Sequence, residues 1–170
     1  LVGVQALPFA AAEAPASTVC NAVWHDAAHD RDMPVRVRLP AGTAKVPVVL
    51  FSHGLGGSVE AGTRWAADWT AAGIAVIHLQ HPGSDAAVWQ SLPQPERLAA
   101  LKAAANAPQL LARVLDVHFA VDTLIAGGAP GGCDLARIDA RRIGLAGHSF
   151  GAQTVQAAAG QRFSIGGTVR

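Results

Sequence analysis

The stretch IGLAGHSFGAQT, residues 143–154, constrains the fold of this 170-residue chain more than any other segment. A short apolar run ends in glycine, one serine stands between two glycines, and an alanine-rich segment follows. That is the pattern of a strand, a sharp turn and a helix, with Ser149 on the turn. Gly147 and Gly151 flank the serine because so tight an elbow brings strand and helix together where a Cβ would not fit. A hydroxyl held there is exposed, and the helix N-terminus behind it adds partial positive charge. The pentapeptide alone is a weak signal, and its place between strand and helix gives it weight.

The rest of the chain agrees with alternating strands and helices. Val35, Val37 and Leu39 alternate with Arg36 and Arg38, the period of a strand with one solvated face, expected as an antiparallel hairpin partner at the sheet edge. VPVVLFSHG (46–54) and GIAVIHLQH (73–81) are nearly continuous apolar runs closed by polar or glycine residues, as buried parallel strands are. Between them Trp65 and Trp69 share one helix face with Ala61 and Ala72, and Gly73 is placed to end that helix. From Pro108 to Ile125, Leu111, Val114, Leu115, His118, Val121 and Ile125 recur at helical spacing, so a second amphipathic helix is expected with that stripe inward. GGAPGGCD then breaks it, and Ile143 to Ala146 forms the next buried strand. The expected architecture is α/β, a mainly parallel sheet with helices on both faces.

Composition narrows the partners. Hydrophobic residues make up 51% and charged residues 15% of the chain, which fits a buried sheet under helices and argues against disorder. The net charge is +1 and the 13 basic residues are scattered, so no electrostatic footprint for nucleic acid exists. No run reaches the roughly 18 apolar residues of a transmembrane helix. Residues 1–19 form either the remnant of a secretory signal, with a short apolar core and alanine pairs, or a plain flexible leader. Export to the periplasm or medium and a cytoplasmic location both stay open. Export would permit a disulfide between Cys20 and Cys133, which two cysteines in a chain of this size neither require nor exclude, and structural thiols are the alternative.

A second glycine-rich turn lies upstream. FSHGLGG, 51–57, ends a strand with His53 and Gly54 followed by Gly56, an arrangement that lets backbone amides approach a bound carbonyl. In an open α/β sheet the carboxyl ends of neighbouring strands share one crevice, so this turn and Ser149 can meet there. With FSHGLGG, IHLQHPGSD and GHSFGAQT in this order, the chain resembles the α/β-hydrolases, in particular platelet-activating-factor acetylhydrolase and dienelactone-hydrolase-like serine esterases, from about Val35 to Arg162. The resemblance implies that Ser149 is the nucleophile and that the amides of Leu55 and Phe150 form an oxyanion hole. His53, Gly54, Gly56, Gly147, His148 and Gly151 would support the elbow and the oxyanion turn, and His81 would take a pocket or supporting role. It further implies hydrolysis of a small-molecule or lipid carboxylic ester through an acyl-enzyme, with no metal and no cofactor. Dienelactone hydrolases in the strict sense carry a cysteine where Ser149 stands, which favours an ester as substrate.

The triad of this fold runs serine, acid, histidine along the chain. FGAQTVQAAAGQRFSIGGTVR, after Ser149, holds no candidate for the later two, so residues 20–170 are expected to be the N-terminal two-thirds of the domain, truncated after the nucleophile helix. Acid and base would then lie outside these residues, for instance on a complementary C-terminal fragment. The rival readings are a non-catalytic binding module with a hydrolase fold and a lipase or thioesterase of the same fold. His148 adjoins the serine on an elbow that should turn its ring away. His25 and His29 have the spacing of a metal pair but no helix and no third ligand. His118 is expected as a packed core histidine, and Asp85, Asp116 and Asp122 as capping or salt-bridge groups. GLGGSVEAG lacks the third glycine and the lysine of nucleotide loops. Residues 83–107, with Trp89, Leu92, Leu98 and Leu101, are expected to be a cap over the acyl pocket or an ordinary connection.

Overall fold

The computed structural model describes residues 17–128 and 132–161, with the backbone of Ser164–Ile165 and Thr168–Val169. In chain order the elements are β1 Thr18–Asp26, β2 Arg31–Leu39, β3 Val46–Ser52, α1 Thr63–Ala71, β4 Ala75–Leu79, a 3-10 turn Ala86–Val88, α2 Gln94–Ala104, α3 Ala107–Ile125, β5 Ile138–Gly147 and α4 Phe150–Ala158. Ser164–Ile165 and Thr168–Val169, β6 and β7, pair antiparallel with each other. Most of the expected leader lies outside the described residues. Thr18 and Val19, inside its expected bounds, already pair with Leu39 and Arg38 as the start of β1.

The main sheet has the order β1-β2-β4-β3-β5. It is mixed: β4, β3 and β5 run parallel, while β1 and β2 join antiparallel. The strand holding Val35, Val37 and Leu39 is therefore not at the edge; β1 is. Its Trp24 is fully buried against the face that Met33, Val35 and Val37 also supply. β3 shows why a sheet covered on both faces has a continuous apolar sequence: Val48 and Leu50 enter the core under α3, whereas Phe51 packs with Ala66 and Val76 under α1.

Both expected helices form, and α3 is turned from the face expected to point inward. On α1 the buried residues are Ala66 and Thr70, and Trp65 is 50% exposed over Phe51. α1 stops at Ala71, and Gly73 follows with φ 85°. On α3 the buried face is Arg113, Asp116, Val117, Ala120 and Leu124, whereas Leu111 and Ile125 are 60% and 65% exposed. His118, expected in the core, is exposed instead, its Nε2 3.4 Å from the Ala158 carbonyl oxygen. Charged residues occupy the inward stripe of α3 because partners there satisfy them.

Cys20 of β1 is bonded to Cys133, in the connection between α3 and β5. His25 and His29 sit in the β1-β2 hairpin, 2.8 Å from Asp32 and 2.6 Å from Asp26. Among the described residues no group of three or more histidine, cysteine or acidic side chains could hold a metal. No described helix is long and apolar enough to cross a membrane.

Candidate active site

Gly147 ends β5 and α4 begins at Phe150, so only His148 and Ser149 make the turn. Ser149 takes φ 54° and ψ −119°, a conformation that costs a residue with a side chain on the order of 1–3 kcal/mol and needs its surroundings to hold it. The glycines permit it. A Cβ on Gly147 would lie 2.3 Å from the Gly151 carbonyl oxygen, and one on Gly151 2.0 Å from that of Ser52. Ser149 is exposed, and among the described residues its hydroxyl has no hydrogen-bond partner.

The turn at 53–57 lies against this elbow. A Cβ on Gly54 would stand 3.2 Å from His148 Nδ1 and 3.5 Å from Ser149 Cβ. Strand pairing continues past the ends of β3 and β4 to hold the turn: the Gly56 amide donates to the Ser84 carbonyl at 2.8 Å, and the Ala86 amide to that of Gly57 at 2.8 Å. Among the described residues, neither the Leu55 amide nor the Phe150 amide donates to a protein acceptor. The second is free because the N–H of the first residue of a helix has no intrahelical acceptor.

Residues 83–107 form the 3-10 turn and α2. The Trp89 indole donates to the Gly56 carbonyl at 2.8 Å, and Leu101 and Trp89 fill the space a Gly56 Cβ would need. The segment therefore leans on the 53–57 turn. A cavity of about 440 Å³, lined by Lys45, Leu124, Leu135 and Ile138, lies at the amino ends of β3 and β5, the far end of the sheet from Ser149.

Behind the elbow is a buried polar network. His53 receives the His81 amide on Nε2 at 3.1 Å, so its proton is on Nδ1, which donates to the Gly54 carbonyl at 2.6 Å. His81 donates from Nδ1 to Asp116 at 2.8 Å and accepts the Ser52 hydroxyl on Nε2 at 2.9 Å. Burial pulls His53 down to about 4 and His81 to about 3 from the ordinary 6.5, so both are neutral. Burial pushes Asp116 upward, but hydrogen bonds from His81 and Arg31 outweigh it and hold the carboxyl below its usual range. Ser52, His81 and Asp116 have the connectivity of a catalytic triad but are sealed from solvent, and Ser52 Oγ also accepts from Arg113 at 3.0 Å. No substrate reaches that hydroxyl.

His81 is thus one layer behind the crevice and lines no open surface. Neither His53 nor His81 has a ring nitrogen left for Ser149. His148 is exposed and packs near Trp65, ring centroids 6.2 Å apart, with no hydrogen bond to the serine. Asp116 forms the expected salt bridge, to Arg31 at 2.6 Å; Asp85 accepts from Gln80 at 2.8 Å; and Asp122 is exposed. Sequence reasoning passed over Arg113, Ser52, Ser84 and Thr154. The available signal was an arginine on the same helical side as Val117 and Ala120.

No protein-family model and no curated protein matches this chain. Solved structures do. A ferulic acid esterase from Streptomyces cinnamoneus matches with TM-score 0.60 at 19% identity, over 88% of this chain and 56% of the esterase. An acetyl xylan esterase from Paenibacillus sp. R4 gives 0.59 at 20%, over 92% and 48%. A dienelactone hydrolase from Anabaena variabilis gives 0.55 at 19%, over 86% and 58%. The chain spans about half the length of these structures, 48% to 58%. Its architecture is that of the α/β-hydrolase fold.

Proposed function

We propose that this chain, as an α/β-hydrolase fold, carries the nucleophile and oxyanion-binding half of a serine esterase. The observation that carries the reading is the contact of two sequence-distant glycine turns at one sheet edge, with the Gly54 Cβ position 3.5 Å from Ser149 Cβ. In this reading Ser149 attacks the ester carbonyl. The Leu55 and Phe150 amides donate to the oxygen as it becomes negative, and the α4 N-terminus adds its dipole. The alcohol leaves, and water releases the acyl group from Ser149. The likeness to a ferulic acid esterase and an acetyl xylan esterase supports a small-molecule ester as substrate.

The base and acid of the triad come from outside these residues. The full occupation of His53 and His81 and the match to only about half of each neighbour support this reading. The Cys20 to Cys133 bond supports an exported protein, since disulfides persist in oxidising compartments.

A fluorophosphonate probe and p-nitrophenyl acetate test the reading on the intact natural protein. Wild type should be labelled on Ser149 and turn the ester over, and Ser149→Ala should do neither. Inertness of the intact wild type would favour a binding module.

A further inference from the structure

Arg113 is fully buried on α3, yet among the described residues no carboxylate touches it. Its acceptors are three hydroxyls and one carbonyl: Nε donates to Thr154 Oγ1 at 2.8 Å, Nη1 to Ser84 Oγ at 2.9 Å, and Nη2 to Ser52 Oγ at 3.0 Å and to the His53 carbonyl oxygen. The guanidinium also stacks 4.8 Å from the centre of the Phe150 ring. A buried cation without a counter-charge in contact is an expensive way to gain stability, and an apolar side chain of similar volume usually does as well.

The four acceptors share a location. His53 is two residues before Leu55. Ser84 accepts the Gly56 amide on its carbonyl, one residue after Leu55. Thr154, which accepts from Arg113, donates its own hydroxyl to the Phe150 carbonyl at 2.8 Å. The two turns that carry these amides, almost a hundred residues apart in sequence, are thus both hydrogen-bonded, directly or through one side chain, to one rigid planar group. A guanidinium can do this because its five donors point outward in a fixed fork; an ammonium cannot span the three segments at once.

We infer that Arg113 is a positioning residue that sets the separation of the Leu55 and Phe150 amides, and thereby the fit of the site to the transition-state oxygen. The inference rests on the esterase reading above. Arg113 touches no substrate. Interactions that strengthen only as the oxyanion forms appear in kcat and in the affinity of transition-state analogues, and leave KM alone.

The test measures p-nitrophenyl acetate kinetics, normalised to fluorophosphonate-titrated sites, and inhibition by a trifluoromethyl ketone, whose adduct places an oxyanion between the two amides. Wild type and Ser149→Ala, both as the intact natural protein, are assayed first. If the serine variant is as active as wild type, or wild type is inert, the esterase reading fails and this inference falls with it. Given an active wild type, Arg113→Lys should lower kcat about a hundredfold and Thr154→Val about tenfold, with KM within about twofold, and inhibitor affinity should fall by the same factors. The double variant should be no worse than Arg113→Lys alone, because the arginine reaches Phe150 through the threonine and its loss already uncouples that link. A folded Arg113→Lys that keeps kcat and inhibitor affinity, or losses in the two single variants that simply multiply, overturns the inference. Should Arg113→Lys not fold, Ser84→Ala and Thr154→Val decide it. Coupled losses confined to kcat and the inhibitor sustain it, whereas unchanged, independent or KM-only effects overturn it.

Discussion

Gly73, after α1, and Gly151, beside Ser149, separate two reasons for a glycine. Gly73 has φ 85° and open space where a side chain would go, so an alanine there meets only the dihedral cost, about 1–2 kcal/mol. At Gly151 a Cβ would stand 2.0 Å from the Ser52 carbonyl oxygen and 2.7 Å from that of His53. Both are backbone atoms of the strand end that α4 must approach, so no rotamer change relieves the contact. Gly151→Ala should therefore cost about 3 kcal/mol or more, twice the effect of Gly73→Ala, and should lose fluorophosphonate labelling even where it folds. Urea midpoints of the two variants, with labelling on the folded fraction, check this. Equal midpoints would mean that the elbow has room to open.

At the scale of elements, α3 bears the most weight, because it covers the sheet and carries Arg113 and Asp116 into it. Asn106 caps it, its side chain accepting the Gln109 amide at 2.9 Å, and Asn106→Ala should lower stability by about 1 kcal/mol, measured by urea unfolding. An unchanged midpoint would show that water replaces the cap without loss. The same helix marks what sequence patterning can and cannot resolve. Apolar spacing located α3 but chose the stripe through Leu111, His118 and Ile125, because a rule that sends charge to solvent cannot foresee Arg113 and Asp116 inside. β1 escaped notice for a related reason: its inward residues include Cys20, Ala22 and Asp26, too small or too polar for a clear alternation. The elbow and the 53–57 turn were legible, since tight backbone approaches demand glycine wherever they occur. The buried network behind them was not, because each member is an ordinary polar residue until the fold brings it to the others.

Across the whole molecule, burial of neutral histidines makes stability depend on pH. His53 and His78 are pulled down to about 4 and His81 to about 3 by burial. In the unfolded chain each binds a proton near pH 6.5, which the native state refuses, so their effect is absent above that pH and stability is lost as pH falls toward 4. The slope is at most about 1.4 kcal/mol per pH unit for each histidine. Urea midpoints at pH 7.5 and 5 should differ accordingly, and a flat profile would mean that the three rings protonate in place. The disulfide acts on the other side of the equilibrium. It joins residues 113 apart, linking edge strand β1 to the connection that enters β5. A loop of that length removes about 4–5 kcal/mol of conformational entropy from the denatured ensemble. Cys20→Ser with Cys133→Ser should therefore unfold about 4 kcal/mol more easily, equal to the effect of reductant on wild type. Because Cys133 lies before the amino end of β5 and Ser149 follows its carboxyl end, kcat per folded molecule should stay within about twofold below the unfolding transition. A loss of kcat in the folded double variant would mean that the bond shapes the elbow itself, and that stability and site geometry share one constraint.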